Sequence, residues 1–174
     1  MDYKDIFIGI SVGILIIIGL LVNFDEVQGI APVENPLCSK IYSFIESSNK
    51  RIPSTMVQTI TDAIILTVEP NDISLVVAII QVESNFNPTL VSSKNARGLM
   101  QVRWTVWKEL LRDNLDITDQ FDLHEVTIGI QAGLFVLHTY MKKGDITKAL
   151  YLYSGKSKVY SGKVFKSMVK FQTY

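Results

Sequence analysis

At 174 residues the chain has room for one ordinary domain and an appendage. Lys+Arg and Asp+Glu both number 17, so no overall charge argues for a nucleic-acid partner. Cys38 is the only cysteine, which excludes an intrachain disulfide framework, and it reads as a small apolar residue.

The chain opens on "MDYKD" and then runs without a charge from Ile6 to Val22. That apolar run is near the lower length that spans a bilayer as a helix. A cleaved signal peptide is the rival reading, but the front end is not clearly basic and no A-x-A-like site follows. The expectation is an uncleaved anchor over residues 1–24, with the N-terminus inside. Gly9 and Gly13 make a small-xxx-small pair within it. Residues 25–36 carry turn formers and two prolines and read as a linker. Residues 37–174 remain for the folded domain.

Apolar residues then fall at helical spacing. Leu37, Ile41, Phe44 and Ile45 predict a helix running to about Arg51. Pro53 and Ser54 open a second, with Met56, Ile60, Ala63, Ile64 and Val68 as its stripe. Asp72 is the expected N-cap of a third, starting near Ile73. "NFNPTLVSSKNARG" reads as loop, and Leu99–Leu111 as helix again. A helix over Thr127–Lys142 follows a polar segment, then one from Asp145 or Thr147, and a last one over Val159–Phe171. No alternating strand pattern and no internal repeat is visible, so the fold class is all-α.

Charge is unevenly distributed. Between Glu109 and Glu125 six acidic residues face one Arg, and between Lys142 and Lys170 eight Lys face one Asp. These are two solvated faces, or else the basic end lies near an anionic polymer or lipid. His124 and His138 have no ligand spacing, and Asp113, Asp116, Asp119 and Asp122 lack calcium-loop order, so no metal and no cofactor is assigned.

Glu83 follows the apolar run Leu75–Ile80, to which Val82 adds another apolar residue. A carboxylate at a helix C-terminus is repelled by the helix dipole, and apolar neighbours disfavour its ionisation. Both raise its pKa toward what a general acid needs. A surface Glu facing water is the other reading, and spacing alone leaves both open.

"ESNFNPTLVSSKNARGLMQV", Glu83–Val102, resembles the signature of the soluble-type lytic transglycosylases, E-S-x-(F/W)-N-P-x-x-x-S followed by G-A-x-G-L-M-Q. "ALYLYSG", Ala149–Gly155, resembles that family's A-L-x-x-Y-N-G segment. The resemblance implies a lysozyme-like helical fold. It also implies cleavage of the β-1,4 bond between N-acetylmuramic acid and N-acetylglucosamine in peptidoglycan, with a 1,6-anhydro product. It makes Glu83 the single catalytic acid and places Ser92, Gln101 and Tyr153 along the glycan groove. On physical grounds Tyr153 is also expected as a hydrogen-bond partner for Glu83. Ser84, Met100, Arg103 and Ser154 complete the expected substrate contacts. Met100 is core packing or borders the groove, Ser84 contacts substrate or only caps or turns the chain after the helix, Arg103 reaches toward the glycan or its stem peptide, and Ser154 replaces the family's asparagine. Asn95 replaces a glycine of the turn, where Asn tolerates positive φ.

The expected partners are therefore peptidoglycan strands, a membrane through residues 6–22, and proteins of a virion or envelope-spanning machine. The domain is expected to face the periplasm or cell wall. A lysozyme-type hydrolase and a glycan-binding structural module are the alternatives. The first yields hydrolytic products, and the second would not need Glu83.

Overall fold

Asn35 opens the first helix: its side-chain oxygen accepts from the Leu37 N–H at 3.0 Å, and Pro36 sits in the first turn, where no N–H is needed. The computed structural model describes residues 35–174. The expected membrane span at residues 6–22 and the linker up to Glu34 lie outside the described residues. Among the described residues no helix is long and apolar enough to cross a membrane.

Helices α1 (Pro36–Ser48), α2 (Ser54–Thr67) and α3 (Ile73–Ser84) come first. A two-stranded antiparallel hairpin, β1 (Ala96–Arg97) and β2 (Val102–Arg103), pairs Ala96 with Arg103 and Arg97 with Val102. Then follow α4 (Trp104–Leu115), a 3-10 turn (Gln120–His124), α5 (Val126–Met141), α6 (Ile146–Tyr153) and α7 (Tyr160–Gln172). The mainly helical architecture is the one expected from the apolar periodicity.

Helix α3 is the central rod. Every residue from Leu75 to Ile80 is buried, in one cluster with side chains of α1, α2 and α7. Each such aliphatic side chain contributes about 1.5–3 kcal/mol of transfer free energy before entropy is counted. A second, smaller cluster joins Val102, Trp107, Leu111, Ile117 and Leu123 to the far side of α5. Helix α5 serves both clusters: Ile130 and Leu137 face the first, Ala132 and Val136 the second. Tyr153 packs against both.

Two local expectations are corrected. Leu99–Gln101 is not helix but a tight turn between the strands, and α4 starts only at Trp104. Gly98 at φ 75° and Gln101 at φ 50° are both left-handed, which no α-helix accommodates. Leu99 and Met100 are buried one by one, so they mimic a helical stripe. Strands of two residues are too short for alternation to show. Asp72 sits at the N-cap of α3 but makes no side-chain cap bond; its carboxylate lies 3.5 Å from His138 Nε2.

Candidate active site

Glu83 stands in the last turn of α3, and the chain leaves that helix sharply. Asn85 at φ 48° and Phe86 at φ 64° are both left-handed. Two fixings hold this unusual pair. The Asn49 amide from the end of α1 donates to the Asn85 carbonyl at 2.8 Å. Phe86 is fully buried and meets Phe44 edge to face, with ring centroids 6.2 Å apart. Glu83 is thereby held half-buried at the edge of the apolar core.

The Tyr160 hydroxyl, from the first residue of α7, donates to Glu83 Oε1 at 2.6 Å. Burial pushes the Glu83 carboxyl up from 4.5 to about 7, while the Tyr160 hydrogen bond pulls more weakly the other way. Burial, and then the neighbouring Glu83 charge, hold the Tyr160 phenol far above the usual tyrosine range. Tyr160 is therefore a permanent donor. With Oε1 occupied as an acceptor, the carboxyl proton belongs on Oε2. The site thus presents one oriented acid that is half ionised near neutral pH.

Tyr153 does not bond Glu83. Its ring stacks on that of Tyr160, with centroids 6.5 Å apart and planes 19° from parallel, and its hydroxyl donates to the Met100 carbonyl at 2.7 Å. Burial, then the Glu83 charge, also keeps this phenol protonated. The acid's tyrosine partner is Tyr160 because Tyr153, coming from α6, is spent on the Leu99–Gln101 turn. Tyr160 was missed in the sequence. Its signal is an aromatic hydroxyl leading the buried stripe Tyr160, Val164, Ser167 and Phe171, where a buried phenol needs a partner.

That turn is pinned from two sides. The Ser84 hydroxyl donates to the Leu99 carbonyl at 2.8 Å, and Tyr153 holds the next carbonyl. Ser84 and Met100 are both buried, so the structure places them behind the site rather than in a groove. The Met100 side chain lies against Gly133 of α5, where a Cβ would fall 2.3 Å from the sulfur. Gln101 Nε2 donates to the carbonyls of Leu90 and Gly98, both at 3.1 Å, so the side-chain carbonyl takes no part in these two bonds. Ser92 closes its own loop: its backbone N–H donates to the Ala96 carbonyl and its hydroxyl accepts from the Ala96 N–H. Asn95 takes the expected positive φ, 58°.

Other expected contacts lie further out. Ser154 ends α6 by donating to the Tyr151 carbonyl and accepting from the Ser157 N–H. Arg103 is exposed, and its charge acts on Tyr140, which meets Trp107 edge to face at 5.3 Å. Trp107 is core, while Trp104 is half-buried beside it. His124 Nδ1 lies 3.0 Å from the Pro88 carbonyl and its Nε2 3.1 Å from Arg97 Nη1, so Nδ1 donates and Nε2 accepts. Among the described residues no group of three His, Cys, Asp or Glu could hold a metal ion.

The model of the transglycosylase SLT domain family matches residues 67–160. No curated protein and no solved structure matches the chain. The matched span covers more than half of the chain and takes in Glu83, the pinned Leu99–Gln101 turn, Tyr153 and Tyr160. The chain belongs to the transglycosylase SLT domain family.

Proposed function

We propose that the chain is a peptidoglycan lytic transglycosylase with Glu83 as its one catalytic residue. Membership of the family gives a peptidoglycan-acting role at family level. The observation that carries the finer reading is the half-buried Glu83 carboxyl near pKa 7, oriented by Tyr160. Oε2 gives its proton to the glycosidic oxygen as the bond to C1 of N-acetylmuramic acid breaks. The substrate's N-acetyl oxygen stabilises the positive charge at C1. Ionised Glu83 then takes the proton of the C6 hydroxyl, whose oxygen closes on C1. The acid is restored and no water is consumed.

Hydrolytic glycosidases commonly place a second carboxylate about 5–10 Å from the acid. Among the described residues, burial and the Tyr160 hydroxyl are what shift the Glu83 carboxyl. The side-chain carbonyl of Gln101 and the hydroxyl of Ser92 are the proposed glycan contacts. The charge and exposure of Arg103 suit a stem-peptide carboxylate.

The domain is further proposed to work on the cell-wall side of a membrane, tethered by residues 6–22, where a wall must be opened locally. Turnover, an envelope-spanning machine and phage entry all suit that placement. Removing residues 1–24 should leave a soluble, active domain; an inactive aggregate would place that segment in the fold instead.

The test is digestion of purified sacculi followed by mass spectrometry. Products one water lighter than muramidase products, and none from Glu83→Gln, are expected. Products with free reducing ends would make the enzyme a hydrolase, and equal wall clearing by Glu83→Gln would remove the assigned acid.

A further inference from the structure

The chain is neutral only on average. After Asp145 no acidic side chain follows, while Lys148, Lys156, Lys158, Lys163, Lys166 and Lys170 do. All six are exposed, and none takes part in an ion pair among the described residues.

Helix α7 sorts this charge by face. Tyr160, Val164, Ser167 and Phe171 form its inner stripe, and the helix packs on α3. Lys163, Lys166 and Lys170 run along one flank of the helix at three- and four-residue spacing, the Lys170 ammonium also lying over the Phe44 ring, 5.3 Å from its centroid. Beside that row Val169 is 59% and Phe165 37% exposed, and Val159, just ahead of the helix, is 65% exposed. A lysine row flanked by uncovered apolar side chains suits a helix lying on a lipid surface. The ammonium groups meet anionic headgroups, and the apolar groups enter the boundary beneath them. A soluble polyanion would answer the lysines but leave Val159, Phe165 and Val169 in water.

We propose that the outer face of α7 docks on an anionic phospholipid bilayer. The contact is made by the folded domain and is separate from any attachment through residues 6–22. It has a consequence for the site. Helix α7 carries Tyr160 at its first turn, so a bilayer seated on its outer face holds the Glu83–Tyr160 pair at a fixed height above the lipid. Glycan lying close to the membrane would then be the portion of the wall presented to the acid.

The test uses the full chain with Cys38→Ser and Val169→Cys, labelled at position 169 with an environment-sensitive fluorophore. The chain is reconstituted with vesicles of phosphatidylcholine, with or without phosphatidylglycerol, so attachment elsewhere does not decide the readout. A rise in emission and quenching by lipid-borne nitroxides are expected only with phosphatidylglycerol, reversed by high salt. Lys163→Gln, Lys166→Gln and Lys170→Gln together should lower the docking equilibrium constant about a hundredfold, near fivefold per lysine. If circular dichroism shows that triple variant unfolded, the salt titration of the labelled chain decides alone. Equal emission on both vesicles, or no effect of salt, would overturn the proposal. So would an equal response to soluble polyphosphate without nitroxide quenching, which would assign the face to a polyanion.

Discussion

Tyr160 reaches across 77 positions of sequence to donate to Glu83 Oε1 at 2.6 Å. The phenol cannot ionise in the working range, so this bond never reverses direction. It stabilises the carboxylate, which is why it opposes the upward pull of burial. On the proposed function Tyr160 is a positioning residue: it chooses the oxygen that carries the proton and tempers the acid's strength.

Tyr160→Phe should therefore move the pH profile as well as the rate. Loss of the bond raises the Glu83 pKa above about 7, so the alkaline limb of kcat against pH should shift upward. A hydrogen bond to a charged group contributes about 1.5–3 kcal/mol, so kcat should fall roughly 10- to 100-fold with KM little changed. A profile that drops in height without moving would assign Tyr160 a packing role only.

The same burial makes Glu83 a cost to the fold once it ionises. Its native pKa is raised above the unfolded value, so the native state binds more protons between pH 4.5 and about 7. Stability should be full below pH 4.5 and fall as pH rises through 7, by up to about 3 kcal/mol. Glu83→Gln removes the charge, so its stability should be nearly flat over that range and exceed the parent's at pH 8. Urea unfolding at pH 5 and pH 8 reads both slopes; parallel losses in the two proteins would mean that Glu83 titrates like a solvent-exposed group.

The Leu99–Gln101 turn gives a third expectation. Ser84→Ala leaves the Leu99 carbonyl without its hydroxyl, and Tyr153→Phe does the same to Met100. Each should destabilise by about 1–3 kcal/mol, the cost of a buried acceptor left unpaired. Both act on one turn, so the double variant should lose less than the sum. Thermal unfolding of the four proteins checks this, and strict additivity would mean that the two hydroxyls hold independent elements.

Much of the helical frame was legible because α1, α2, α5 and α7 each show one apolar stripe of helical period. Leu99–Leu111 misled for a physical reason: a turn that buries two successive apolar side chains imitates a helix face, and the left-handed residues flanking it carry no strong signature apart from Gly98. At Glu83 the sequence shows an acid following an apolar run, and the structure holds that acid half-buried at the edge of the core, but what each motif position touches was not legible. Ser84 and Met100 stand beside chemistry in sequence and behind it in space. Tyr160 lay hidden because a stripe shows only that a side chain points inward, not which polar group waits there. Tyr153, which matches the family's tyrosine, shares its environment and differs only in what its hydroxyl reaches.

Two glycines with nearly the same backbone separate strain from collision. Gly98 has φ 75° and Gly155 has φ 71°, so an alanine at either is forced into the left-handed region, at about 1–2 kcal/mol. A Cβ at Gly155 meets nothing within 4 Å, whereas at Gly98 it would fall 1.9 Å from the Leu123 backbone carbonyl oxygen. That oxygen belongs to the 3-10 turn before α5 and cannot swing away as a side-chain tip can. Gly155→Ala should therefore lose only the conformational cost and keep its activity. Gly98→Ala must push the Leu99–Gln101 turn off the 3-10 segment, with a loss well above that cost and a fall in activity as Gln101 moves. Denaturant midpoints and sacculus clearing, measured side by side, check the contrast; equal losses at the two positions would show that the turn and the 3-10 segment separate freely.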